Sequence, residues 1–172
     1  LDGLSHPAAL AARAAQMGQK ALALTDHGGM FGVIEFSRAC KAEGIKPIIG
    51  MEAYIVPWGK KLTDRDKEND RSRHHLLLLA QNEVGYHNLI RLSSIAQTQG
   101  FYYKPRLNAE TLAQYSEGII TTTGCLAGEI PHHLSDEGKK PDLKKAQERF
   151  NWYLDVFGRD RFFVELQEHS WD

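Results

Sequence analysis

The chain has 172 residues, a formal net charge of −1 and 42% hydrophobic residues. This length suits a single domain with one hydrophobic core and is too short for a complete TIM-type barrel, which takes about 250 residues. The near-neutral charge excludes a global basic field that would draw the whole chain onto nucleic acid or an anionic membrane. Any contact with DNA is therefore expected to be local.

The first part of the chain alternates predicted helices with predicted strands. A capped, alanine-rich helix over residues 7–17 leads into a short apolar strand over 20–25. Apolar residues at helical spacing predict a second helix over 30–43, and the apolar run over 45–56 predicts the next strand.

A segment of different composition then separates the two halves of the chain. Residues 58–73 are almost entirely charged or polar, which predicts a solvated loop within one domain spanning 1–172. The remaining predicted elements are a strand over 75–80, a helix over 83–99, a strand over 118–123, a helix over 143–157 and a strand over 161–166. This alternation predicts an α/β fold of parallel βαβ units with right-handed crossovers.

The two cysteines, Cys40 and Cys125, lie in unrelated contexts and lack Cys-x-x-Cys spacing. This usage is typical of a reducing compartment and does not indicate a disulfide framework. The sequence also lacks an apolar run of about 18 residues and a signal-peptide pattern at its start. We therefore expect a cytoplasmic protein without a membrane partner.

Metal-capable side chains stand within or at the ends of the predicted strands. They are Asp26 and His27 after the first strand, Glu52 inside the second, His74 and His75 opening the third, Cys125 after the fourth, and His169 after the fifth. Strands that deliver ligands to one edge are how an α/β barrel builds a metal site. The sequence therefore predicts metal chemistry at this edge.

Each of these residues also has a purely structural interpretation. Asp26 can cap the following helix, and His27 can lie on the surface. Glu52 is flanked by apolar residues, so it needs a metal or a salt bridge, and we favour the metal. Only one of His74 and His75 can point inward, and we expect His75 to do so.

Cys125 and His169 also have structural interpretations when each is taken alone. A lone cysteine is more often a small buried hydrophobe than a ligand, but the position of Cys125 just beyond a predicted strand favours a ligand. His169 can support the metal ligands from behind, or it can lie on a frayed surface near the end of the chain.

A short loop, Phe101-Tyr102-Tyr103-Lys104-Pro105-Arg106, places two cations beside three aromatic rings. Lys104 and Arg106 can hold a phosphate of DNA while the rings stack against a base. Alternatively, the rings pack beneath the loop and the two cationic side chains lie along the surface.

Several segments together resemble the polymerase and histidinol phosphatase (PHP) domain, in the version found at the start of the bacterial replicative DNA polymerase III alpha subunit. The matching segments are residues 1–3, 23–28, 44–54, 75–80, 102–106, 124–131 and 163–169. Each segment is weak alone, but their order and spacing make a specific signal.

The resemblance implies a fragment of a distorted seven-stranded (β/α) barrel, with the family's first and last strands missing. It places Asp2, His27, Glu52, His75 and Cys125 on metal-ligand positions. The implied metals are divalent ions, zinc or manganese here and magnesium in the parent polymerase.

The implied activity is metal-dependent phosphodiester hydrolysis, as a 3′→5′ proofreading exonuclease. DNA, a proofreading subunit and, through the full-length protein, the sliding clamp are the implied partners. The alternatives are a catalytically silent module that docks partners and a small-molecule phosphatase similar to histidinol phosphatase. Because the first strand would carry two ligands, residues 1–172 alone are expected to be inactive in hydrolysis. They also contain none of the polymerase palm, fingers or thumb, so we do not expect them to synthesise DNA.

Overall fold

The computed structural model describes residues 3–65, 73–135 and 140–168. The helices are α1 (Pro7–Gln16), α2 (Val33–Ala42), α3 (Glu83–Thr98), α4 (Ala109–Gln114), α5 (Glu129–Leu134) and α6 (Leu143–Phe157). The strands are β1 (Ala21–Leu24), β2 (Lys46–Ile55), β3 (His74–Ala80), β4 (Arg106–Leu107), β5 (Ile119–Thr122) and β6 (Phe162–Phe163). None of these helices has the length and apolar character needed to cross a membrane.

The six strands form one mixed sheet in the order β1-β2-β3-β5-β6, with β4 paired to β2. Strands β1 and β4 run parallel to β2, and β6 runs parallel to β5. Strand β3 is antiparallel to both of its neighbours, β2 and β5. The predicted α/β class is confirmed, whereas the prediction of parallel units throughout is wrong at β3.

The described part of the connection between β2 and β3 is compatible with this reversal. Parallel neighbours need a crossover of a dozen or more residues, usually a helix, whereas antiparallel neighbours can be joined by a loop. The described part of this connection, residues 56–65 and 73, contains neither helix nor strand. In the antiparallel register, His75 at the amino end of β3 pairs with Tyr54 near the carboxyl end of β2.

Two groups of buried apolar side chains fix the sheet and its helices. The larger group joins β2, β3 and β5 to α3 and α6, and includes Met51, Leu78, Leu89, Ile119 and Phe157. The smaller group packs α1 and α2 against β1, and includes Ala11, Phe36 and Cys40. Burial raises the pKa of the Cys40 thiol, which is consistent with a packing role.

Side-chain caps start helices α3 and α4. The Asn82 side chain accepts the Gly85 N–H at 3.0 Å where α3 begins. A reciprocal capping box between Asn108 and Thr111 starts α4, a helix that was not predicted. Helix α2 begins at Val33, later than predicted, and β6 covers only Phe162–Phe163 of the predicted 161–166 strand.

A buried carboxyl–phenol pair joins α5 to α6. The Tyr153 hydroxyl donates to Glu129 Oε2 at 3.0 Å, and the Glu129 side chain is only 5% exposed. Burial raises the pKa of the Glu129 carboxyl, although the Tyr153 hydrogen bond and the charge of Arg149 act in the opposite direction. The folded protein therefore holds this proton to a higher pH than the unfolded chain does.

Glu129→Gln is expected to stabilise the protein at alkaline pH and to leave it nearly unchanged at acid pH. The folded state raises the pKa of the Glu129 carboxyl. The stability due to protonated Glu129 is therefore complete below the pKa that this carboxyl has in the unfolded chain, and it is lost as pH rises through the pKa in the folded protein. Thermal unfolding at pH 8 should show a gain of a few degrees, the scale that about 1 kcal/mol produces.

Glu148→Gln, on the exposed face of α6, is the matched control and should show no such pH-dependent gain. A constant difference between Glu129→Gln and the unmodified protein from pH 4 to pH 8 would contradict the assignment.

Candidate metal centre

The Glu52 carboxylate lies between two imidazole rings. Its Oε2 is 2.9 Å from His27 Nδ1, and its Oε1 is 2.6 Å from His75 Nδ1. The three side chains are partly buried, with exposed fractions of 34% for His27, 22% for Glu52 and 30% for His75. The carboxylate thus has a close contact with a ring nitrogen of each histidine, which meets the need for partners that its apolar surroundings create.

The backbone after β1 places His27 beside Glu52. The Glu52 N–H donates to the Asp26 carbonyl at 3.0 Å, and the Gly28 N–H donates to the Glu52 carbonyl at 2.8 Å. Gly28 has φ 71°, and a Cβ atom there would lie 2.6 Å from Pro105 Cγ. Only glycine satisfies both conditions, so Gly28 fixes the turn that carries His27.

The start of β3 presents its two histidines to opposite faces of the sheet. His75 faces Glu52, and the backbone N–H of His75 donates to the Ala127 carbonyl at 2.9 Å. His74 is buried on the other face, 5.1 Å from His132 between ring centroids. Burial, followed by the charges of His132 and His133, lowers the pKa of His74 to about 4.

Cys125 brings a sulfur ligand to the same edge. It follows β5, and its Sγ lies 3.8 Å from His75 Nδ1. Ligand atoms of Glu52, His75 and Cys125 all lie within 4.8 Å of one another. Among the residues that the structure describes, this is the one group of three metal-capable side chains so placed.

The chemistry of this group suits a divalent metal. Carboxylate oxygen, imidazole nitrogen and cysteine sulfur are the three ligand types that zinc takes in proteins. A cavity of about 220 Å³ opens beside them and is also lined by Glu165 and Gln167. We define the metal centre as Glu52, His75 and Cys125, with His27 adjoining Glu52.

Glu165 also lines this cavity, and no role was predicted for it from the sequence. Its Oε2 accepts the Thr122 hydroxyl at 2.6 Å, and its Oε1 accepts the Gln167 side-chain amide at 2.7 Å. Its N–H donates to Thr123 Oγ1 at 2.9 Å. Two sequence features could have indicated Glu165: a pair of threonines at the end of one predicted strand, and this carboxylate at the end of the next. These two strands are β5 and β6, which are parallel neighbours in the sheet.

The other predicted site residues lie in several places. Asp26 Oδ2 accepts the Gly32 N–H at 2.7 Å, so this carboxylate holds the turn that enters α2. Asp2 and His169 lie outside the described residues. Lys104 is exposed, and its Nζ lies 5.5 Å from the centroid of the Tyr54 ring.

The burial of Arg106 argues against its predicted contact with DNA. Its side chain is fully buried at 0% exposure and donates to the backbone carbonyls of Gly100, Leu62 and Asp64 at 2.9, 2.9 and 3.2 Å. Its guanidinium also lies 5.2 Å from the centroid of the Tyr102 ring. A side chain without exposed surface cannot contact DNA, so Arg106 anchors the loop instead.

The mixed sheet and its cluster of oxygen, nitrogen and sulfur groups define an α/β domain with a candidate metal centre. The family model of the PHP domain matches residues 1–169 of this chain. The chain therefore belongs to the PHP domain family.

The chain is also similar to named bacterial proteins. It is 47% identical over 173 residues to DNA polymerase III subunit alpha from Treponema pallidum, covering 100% of this chain and 14% of that protein. It is 42% identical over 170 residues to DNA polymerase III subunit alpha from Borreliella burgdorferi, covering 99% of this chain and 14% of that protein. The chain thus spans about one seventh of the length of these relatives.

One solved structure supports the fold. The chain shares a TM-score of 0.53 and 12% identity with a protein from Bifidobacterium adolescentis assigned as a metal-dependent phosphoesterase. The match covers 95% of this chain and 72% of that protein. At this identity, the likeness shows the common fold.

Replacing Arg106 with methionine is expected to destabilise the protein by about 3 kcal/mol, because three buried carbonyls lose a charged donor. The measurement is equilibrium unfolding in urea. Arg159→Met is the matched control, since Arg159 is exposed, and it should change the free energy of unfolding by less than about 0.5 kcal/mol. Equal unfolding curves for the two variants would refute the anchoring role of Arg106.

Proposed function

We propose that this chain is the PHP portion of a bacterial replicative DNA polymerase III alpha subunit, and that it acts there as a metal-dependent 3′→5′ proofreading exonuclease. The observation that carries the proposal is the placement of Glu52, His75 and Cys125 within 4.8 Å of one another. The identity of 47% and 42% to two alpha subunits supports the polymerase context.

The charge of the site supports a role for a cation. A carboxylate side chain and a metal-bound thiolate would carry the same sign of charge as the phosphodiester of DNA, so they would repel it without a cation. A bound divalent ion would offset this charge, polarise the phosphate and lower the pKa of a bound water. Glu52, His75 and Cys125 are the residues that would hold it.

Zinc is the proposed metal because the group includes a cysteine. Thiolate selects zinc over magnesium, which prefers oxygen ligands, and manganese is the second candidate. Magnesium is proposed only for the polymerase reaction, which belongs to other parts of the longer protein.

The protein's own residues prepare this site for a substrate. Glu52 holds the rings of His27 and His75 at 2.9 and 2.6 Å, so neither ring is free to rotate away. Lys104 supplies an exposed cation on the Tyr54 side, where it can attract the phosphate. We therefore propose Lys104 as a DNA contact.

The proposed partners follow from the polymerase context. They are DNA, a separate proofreading subunit and the sliding clamp, met in the cytoplasm by the full-length protein. Asp2 and His169 are proposed as a further metal ligand and a supporting residue, and Asp26 as a residue that positions His27 through the turn.

The test is degradation of a 3′-labelled single strand of DNA by the full-length protein that carries these residues, with zinc or manganese supplied. Glu52→Gln and Cys125→Ser are each expected to lower the rate by about 100-fold, since each removes a proposed ligand. Glu43→Gln and Cys40→Ala are the matched controls, because neither residue lies at the metal centre.

Degradation that persists in both ligand variants would contradict the proposal. Bound zinc without any hydrolysis by the unmodified protein would instead favour the docking module. Turnover of a small phosphomonoester in place of DNA would favour the small-molecule phosphatase.

A further inference from the structure

We propose that a cavity beside the metal centre binds the unpaired base at the 3′ end of the DNA strand. The inference deepens the proposed function, because the strand's last phosphodiester would then lie at the metal centre. The cavity has a volume of about 330 Å³. We call it the aromatic pocket and define it by His27, Phe31, Tyr54, Phe101, Tyr103 and Lys104.

Exposed aromatic rings concentrate at this pocket. Five aromatic side chains are strongly exposed among the described residues, and three of them line the pocket: Phe31 at 64%, Phe101 at 54% and Tyr103 at 51%. Exposed apolar groups that cluster in this way mark a binding site. Aromatic rings are also the side chains on which nucleic-acid bases stack, without preference for one base over another.

The pocket adjoins the metal centre through two stacked rings. His27 contacts the Glu52 carboxylate at 2.9 Å and stacks on Tyr54, with ring centroids 6.3 Å apart and an interplanar angle of 20°. Lys104 Nζ lies 5.5 Å from the Tyr54 ring centroid. A cation therefore lies at the pocket beside Tyr54, where it can pair with the phosphate of a bound nucleotide.

The loop that carries these rings is held before any ligand arrives. The Gln97 side-chain amide donates to the Gly28 carbonyl at 3.1 Å, which ties α3 to the turn after β1. Arg106 ties the other end of the loop to three backbone carbonyls. A pocket that is already ordered loses less conformational entropy when it binds.

Tyr103 adopts a backbone conformation that supports a ligand role. Its φ of 59° lies in the left-handed region, which is uncommon for a bulky aromatic residue. Such conformations cost roughly 1–3 kcal/mol and cluster at ligand sites. The turn directs the Tyr103 ring to the same pocket as Phe101.

The size of the pocket favours a single unpaired base over a duplex. A volume of about 330 Å³ is at the lower end of the range for small-molecule sites. A base in a duplex is already stacked and paired, and extracting it costs a few kcal/mol. A frayed or mismatched 3′ end avoids most of this cost, so the pocket would select single-stranded ends.

The experiment compares two short single strands that differ only at the 3′ terminus, where one carries thymine and the other an abasic residue. Both strands carry a phosphorothioate at the last linkage to slow cleavage, and fluorescence anisotropy measures their binding to the full-length protein with zinc supplied. The unmodified protein is expected to bind the thymine-ended strand roughly tenfold more tightly. Phe101→Leu and Tyr103→Leu should each lose most of this preference, because leucine keeps apolar bulk but removes the ring.

Two further variants distinguish binding of the base from binding of the phosphate, and from an effect of exposed aromatic surface outside the pocket. Lys104→Met should weaken both strands to the same extent, because both retain their phosphates. Phe163→Leu is the matched control, since Phe163 is 49% exposed but lies outside the pocket, and it should keep the full preference.

Photo-crosslinking locates the base independently of the variants. A strand ending in 5-iododeoxyuridine is expected to crosslink to the segment 101–103. Equal binding of the two strands to the unmodified protein, or a crosslink confined to other segments, would overturn the inference. Because neither measurement needs cleavage, a base preference without hydrolysis would reject only the exonuclease, and hydrolysis without a base preference would reject only the pocket.

Discussion

The site depends on one carboxylate that lies in close contact with a ring nitrogen of each of two histidines. Glu52 can contact His27 at 2.9 Å and His75 at 2.6 Å only if three strands place their ends at one edge of the sheet. Strand β1 achieves this by running parallel to β2, and β3 achieves it by running antiparallel. The same antiparallel pairing with β5 brings Cys125 to His75. The reversal at β3 is therefore a condition for the site.

The edge has two sides of different chemistry. Cys125 and Glu165 lie on one side, where the sulfur and carboxylate groups favour a cation. Lys104 and exposed aromatic rings lie on the other side, where they favour a phosphate and a base. His27 connects the two sides, because it contacts both the Glu52 carboxylate and the Tyr54 ring. A substrate that carries a phosphate next to an aromatic base matches this division.

The sequence was sufficient for features that depend on local pattern. The helical spacing over residues 143–157 predicted α6 with its observed bounds, and the apolar run before His27 predicted β1. Glu52 was identified because a carboxylate inside an apolar strand needs a partner, and two histidine side chains can meet that need as well as a metal can.

Features that depend on distant partners were not predictable. Arg106 looked like a surface cation because two of its three carbonyl partners, Leu62 and Asp64, come from a distant part of the chain. The direction of β3 leaves no trace in its run of apolar residues.

The most direct test is a crystal structure of the protein soaked in zinc, with anomalous difference density measured at the zinc absorption edge. One peak is expected about 2.3 Å from Cys125 Sγ and about 2.0–2.2 Å from a nitrogen of His75 and an oxygen of Glu52. A fully soaked crystal with no peak at these three residues, or with its zinc bound only at His74, His132 and His133, would contradict a metal centre at this edge of the sheet.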